Sequence, residues 1–153
     1  MRIGPQLRVF FGCAVVVFGL QSLAASAQAS DLKVVIKGIK NGNGQILVCL
    51  FNRAAGFPGC ESQGVFKRFG TKARAGALSF VLKQIPAGTY AISAAHDQNG
   101  DNKIERHFLF WYPTEGAGTS NYPEPPRLPP TFGKAQFQLS GQSGTIEIMM
   151  HYP

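Results

Sequence analysis

After residue 30 this chain has no ten-residue segment with apolar residues at helical spacing, which excludes helical bundles and coiled coils. Cysteine is nearly absent: there are three in 153 residues and no C-x-x-C pair, which argues against a redox dithiol or a cysteine-bound metal. Histidine is equally sparse, with three in all. No G-x-S-x-G surrounds a serine, so neither Ser93 nor Ser120 has the context of a hydrolase nucleophile. Like charges never run five or six together, so there is no basic tract of the kind that grips nucleic acid. The one long apolar run, Val9 to Leu20, is about a dozen residues, short of the roughly 20 that a membrane span needs.

What the N-terminus does have is the pattern of an export signal. Arg2 and Arg8 precede the apolar run, and Ala25-Ser26-Ala27 or Ala27-Gln28-Ala29 offers small residues for cleavage. The expected layout is a signal peptide over 1–29 and one domain over 30–153, located in the periplasm or secreted, with no transmembrane anchor in the mature chain. Cys13 leaves with the signal, so Cys49 and Cys60 remain as an even pair and are expected to form a disulfide in an oxidising compartment. The mature chain is basic by about five charges, and these are scattered among Lys33, Lys37, Lys40, Arg53, Lys67, Arg68, Lys72 and Arg74. Such scatter is expected to form a solvated basic surface, with a weak pull toward anionic envelope surfaces and none toward nucleic acid.

The periodicity is that of strands. Leu32, Val34 and Ile36 alternate with Lys33, Val35 and Lys37. Asn41-Gly42-Asn43-Gly44 then marks a turn, and Gln45 to Asn52 is apolar, so the two segments read as a β-hairpin. Further strands are expected over Val65–Lys72, Ala77–Ile85, Thr89–Ala95, Phe108–Tyr112, around Phe137 and Leu139, and over Thr145–His151. Between Pro113 and Gly133 the chain carries more than half of its ten prolines and is expected to be a long loop. About seven short strands with turn signals between them predict an all-β fold, a single antiparallel β-sandwich of Ig-like or prealbumin-like type. The segment Ile85-Pro86-Ala87-Gly88-Thr89-Tyr90-Ala91-Ile92 also resembles the proline-glycine-x-tyrosine corner of transthyretin-like and carboxypeptidase-regulatory-like sandwiches.

One stretch points to chemistry. In Asp97-Gln98-Asn99-Gly100-Asp101-Asn102-Lys103-Ile104-Glu105, oxygen donors alternate at the first, third and fifth positions. A backbone carbonyl at Lys103 and a carboxylate at Glu105 follow in step, as in a calcium loop. The bidentate glutamate of the twelfth position is replaced by Phe108, so Glu115 is the expected distant ligand. The competing reading is a metal-free turn, because Asp and Asn in these positions also cap backbone amides. His96 and His107 bracket the loop, and with Asp97 and Glu105 they make up the donor set of a metal-dependent hydrolase; the alternative for His96 is a strand end bonded to loop backbone. Trp111, Tyr112 and Tyr122, beside the prolines, suit a ligand-binding surface for a sugar or a peptide, or else cap the core.

Several motifs recur in a recognisable order: Gly44-Gln45, Phe57-Pro58, Pro86-Ala87-Gly88-Thr89-Tyr90-Ala91 and His96-Asp97-x-Asn99-Gly100. Glu115-Gly116-x-Gly118-x-Ser120-Asn121, Pro130-Thr131-Phe132 and Ala135 then follow. In this the chain resembles the uncharacterised secreted bacterial family called domain of unknown function 2141. The resemblance implies a signal-bearing β-sandwich and brings no biochemical activity with it. The chain departs from it at His107 and Phe110-Trp111, and the Cys49–Cys60 pair is a local addition. The expectation is an exported envelope protein that is non-catalytic, a binding or structural module with a calcium loop and an envelope ligand or protein as partner. The alternatives are the hydrolase above and a secreted inhibitor or adaptor presenting the proline-rich loop.

Overall fold

The computed structural model describes residues 28–103, 114–122 and 128–153. Among these the chain forms strands β1 (Ala29–Ile39), β2 (Gln45–Phe51), β3 (Val65–Lys72), β4 (Gly76–Pro86), β5 (Gly88–Asp97), β6 (Ala117–Thr119), β7 (Phe137–Leu139) and β8 (Gly144–Met149). A single helical turn, α1 (Phe132–Ala135), precedes β7. One sheet has the order β4-β1-β8; the other has β3-β2-β5-β6, with β7 also pairing to β5. The all-β sandwich expected from the alternation is therefore what forms. One pair, β1 with β8, runs parallel.

The alternation works because each strand turns one row of side chains inward. Leu32, Val34 and Ile36 of β1 meet Ile46, Val48 and Leu50 of β2 across the core, all almost completely buried. This corrects the expected hairpin: β1 and β2 lie in different sheets, and Lys40–Gly44 carries the chain across the core instead of folding it back within one sheet. An Asn-Gly turn sets a local reversal; which strands then pair is decided by where each apolar row is buried. At the turn between β4 and β5 the Tyr90 hydroxyl donates to the Pro86 carbonyl at 2.9 Å.

Two features went beyond the expectation. β6 lies inside the stretch read as loop, and its central glycine explains why it gave no strand signal: a Cβ at Gly118 would collide with the Met149 carbonyl. β5 is buried on both faces from Tyr90 to Asp97. Its outer row of Ala91, Ser93, Ala95 and Asp97 is as enclosed as its inner row of Tyr90, Ile92, Ala94 and His96. The expected signal peptide, apart from its last two residues, and the expected strand over Phe108–Tyr112 lie outside the described residues. Among the described residues no helix is long and apolar enough to cross a membrane.

A second, smaller apolar cluster sits on the outer face of the β2–β5 sheet. Phe51, Cys49 and Cys60 form it, with Phe57 and Phe132 packed edge-on beside them. The Cys49–Cys60 disulfide is formed, tying the loop after β2 to that face. Because it closes a loop of about a dozen residues, Cys60→Ser should cost roughly 3 kcal/mol. Calorimetry of the mature protein should show this as a melting temperature lower by about 10 °C.

Candidate functional site: the loop after β5

The end of β5 turns a carboxylate outward and leaves it fully buried. Asp97 has no solvent exposure. Its Oδ1 accepts from the amides of Gly100 (2.8 Å) and Asp101 (3.2 Å), and its Oδ2 from the Asn102 amide and Gln45 Nε2, both at 2.8 Å. The loop wraps around this group because Gly100 and Asn102 take left-handed backbone angles, φ 75° and 64°. Smaller turns repeat the device: Asn99 Oδ1 accepts from Asp101 N at 3.0 Å, and Asp101 Oδ1 from Lys103 N at 2.8 Å. Burial works to raise the Asp97 pKa, but the donors from Gln45, Asn102, Gly100 and Asp101 outweigh it and hold the carboxyl below its ordinary 3.8.

Glu115 stands one peptide away from this charge. Its Oε1 accepts from the Gln98 amide at 2.9 Å, while Oε2 is buried with no hydrogen-bond partner among the described residues. The Glu115 residue as a whole is 7% exposed. Two residues further on, strand register places Ala117 and Thr119 on the outer face beside Ala95 and Ser93 of β5, and His151 bridges to Ala117. Thr119 Oγ1 and His151 Nε2 are likewise buried and unpartnered. Among the described residues one ion pair forms, Lys37 with Glu147, on the opposite sheet and exposed. Among the described residues, the two buried carboxylates at the loop therefore have no ion-pair partner.

Of the hydrolase donor set, the two members among the described residues do not converge. His96 and Asp97 are consecutive in a strand, so they face opposite sides of the sheet, and His96 points into the core. Both its nitrogens are engaged: Nε2 faces the Asn43 carbonyl at 2.8 Å and Nδ1 the Tyr152 hydroxyl at 2.8 Å. A carbonyl only accepts, so the network assigns the proton to Nε2, and Tyr152 donates to Nδ1 while accepting from the Lys40 amide. His96 thus bonds loop backbone at a strand end, as the second reading had it. Gly44 closes the arrangement from the crossover, with φ 61° and no room for a Cβ against the Asp97 carbonyl oxygen. Ser120 also serves structure, accepting from Ile92 N and donating to the Ala135 carbonyl at 2.6 Å.

Of the other sequence candidates, Glu105, His107, Trp111 and Tyr112 lie outside the described residues. Tyr122 is half-buried, and its hydroxyl accepts from the Thr131 amide at 3.2 Å. Sequence reasoning missed Gln45, whose amide donates both to Asp97 and to Asn102 Oδ1. The signal available was only its place beside Gly44 at the head of a strand.

The Asp97 hydrogen bonds fix a sign for acid sensitivity. With the folded pKa held below 3.8, the carboxylate stabilises the fold at pH values above 3.8, and that contribution is lost as pH falls through the lower folded value. Asp97→Asn should lose about 2 kcal/mol at pH 7 and show a flatter stability–pH curve below 3.8. Chemical denaturation across that range checks it, and an unchanged acid limb would assign the sensitivity to other groups.

The family described as uncharacterized protein conserved in bacteria (DUF2141) matches residues 34–147. No curated protein and no solved structure matches the chain. The matched span runs from within β1 to within β8 and takes in the Asp97 loop, Glu115 and most of the core of the sandwich. The chain belongs to the bacterial DUF2141 family.

Proposed function

We propose that this chain is a non-catalytic binding or structural module of the bacterial envelope, exported by its N-terminal signal, in which the 97–105 loop and Glu115 hold a calcium ion. The observation that carries this is Glu115 Oε2, a buried carboxylate oxygen without a partner among the described residues, one peptide from the buried charge of Asp97. Buried negative charge needs a cation or a full set of donors. Asp97 has the donors; Glu115 has half of them. The hard oxygens of Asn99, Asp101, the Lys103 carbonyl and Glu105 suit calcium better than a softer metal.

In this reading Asp97 organises the loop more than it ligates, because N–H groups fill all four of its acceptor positions. The ion would serve to clamp the loop to the β6 segment, with no part in bond-breaking. Affinity should resemble that of extracellular calcium modules, about 10⁻⁴ to 10⁻³ M. Isothermal titration of the mature protein should give a saturable heat with calcium. At tenfold excess over Kd the fold should gain about 1.4 kcal/mol, and Glu115→Gln should abolish both effects. No heat and no melting shift at several millimolar calcium would overturn the proposal.

A further inference from the structure

Several of the basic residues that look scattered in the sequence converge at one edge of the fold. The free edge strands β3 and β4 belong to different sheets but lie side by side, with Phe69 stacked on Phe80 at 4.1 Å and Lys67 Nζ donating to the Lys83 carbonyl. From Val65 to Pro86 the chain carries Lys67, Arg68, Lys72, Arg74 and Lys83 and no acidic residue. A groove of about 530 Å³ runs along this edge, lined by Lys33, Lys72 and Arg74, with Thr71, Ser79 and the flank of Phe80 between them. Among the described residues none of these three cations forms an ion pair or a hydrogen bond.

We infer that this groove binds an anionic polysaccharide. The lining combines three uncompensated point charges, two hydroxyls and an apolar wall. A chain of sugar rings bearing carboxylate, sulfate or phosphate groups offers the complement to each: anions for Lys33, Lys72 and Arg74, hydroxyls for Thr71 and Ser79, and apolar ring faces for Phe80. A flat anionic bilayer would touch the rim of such a concavity and leave its wall uncovered. Lysines on strand edges also deter edge-to-edge aggregation, but that role asks only for charge at the edge and gives no reason for a groove.

The test uses mature protein and fluorescently labelled dextran sulfate, with neutral dextran as control and calcium omitted, so that the result is independent of the Asp97 loop. Dextran sulfate should bind and neutral dextran should not, with affinity falling as salt rises. Lys72→Gln with Arg74→Gln should weaken binding about tenfold. Lys40→Gln with Lys134→Gln, which removes the same charge elsewhere, should leave it within about twofold. Equal losses in both double variants would reduce the effect to net charge and overturn the proposal. So would binding to vesicles of anionic phospholipid without binding to dextran sulfate. Unchanged melting curves for both double variants confirm that they are folded.

Discussion

An ionised carboxylate withdrawn from water costs several kcal/mol unless other donors replace the solvent, and at Asp97 four N–H groups do so. Three of those donors come from the loop itself and one from the neighbouring strand, so the loop's shape and its attachment to the sheet are satisfied by a single charge. Gly44 must lack a side chain for β2 to approach closely enough, and Gly100 and Asn102 must accept left-handed angles for the amides to converge. His96, one residue earlier, secures the same strand end from the inner side through Asn43 and Tyr152. The conformation of the whole sandwich end follows from keeping one anion dissolved in protein.

Covering the outer face of β5 is what makes this possible. An open antiparallel sheet would leave Asp97 and Glu115 in water, where neither would need a partner. Here the outer row is as buried as the inner one, and the polar groups on it must find hydrogen bonds or a ligand. Asp97 has found them; among the described residues Glu115 Oε2, Thr119 Oγ1 and His151 Nε2 have not. The contrast between a saturated carboxylate and its half-satisfied neighbour is the strongest functional signal on this side of the molecule.

Much of the fold was legible because β1, β4 and β8 alternate cleanly, and Pro86 through Tyr90 carries its own corner signature. The Asp97 loop was legible because its donors are local in sequence. Pairing was not: β1 and β2 look like a hairpin until the core separates them. Nor was the double burial of β5, since Ala91, Ser93 and Ala95 are too small or polar to register as a buried row. Gln45, Lys33, Lys72 and Arg74 acquire their roles from neighbours tens of residues away, which no local pattern encodes.

Across the β2–β5 sheet, Lys72, Gln45 and Asp97 stand in one register row. Gln45 gives its amide protons to the acidic side and nothing to the basic one, so it acts as a neutral spacer between opposite charges. Two strand spacings, about 10 Å, therefore separate a fixed anion from an uncompensated cation, and neither cancels the other. The sheet thus carries a local dipole, and an anionic surface would turn the molecule cation edge first before any contact is made.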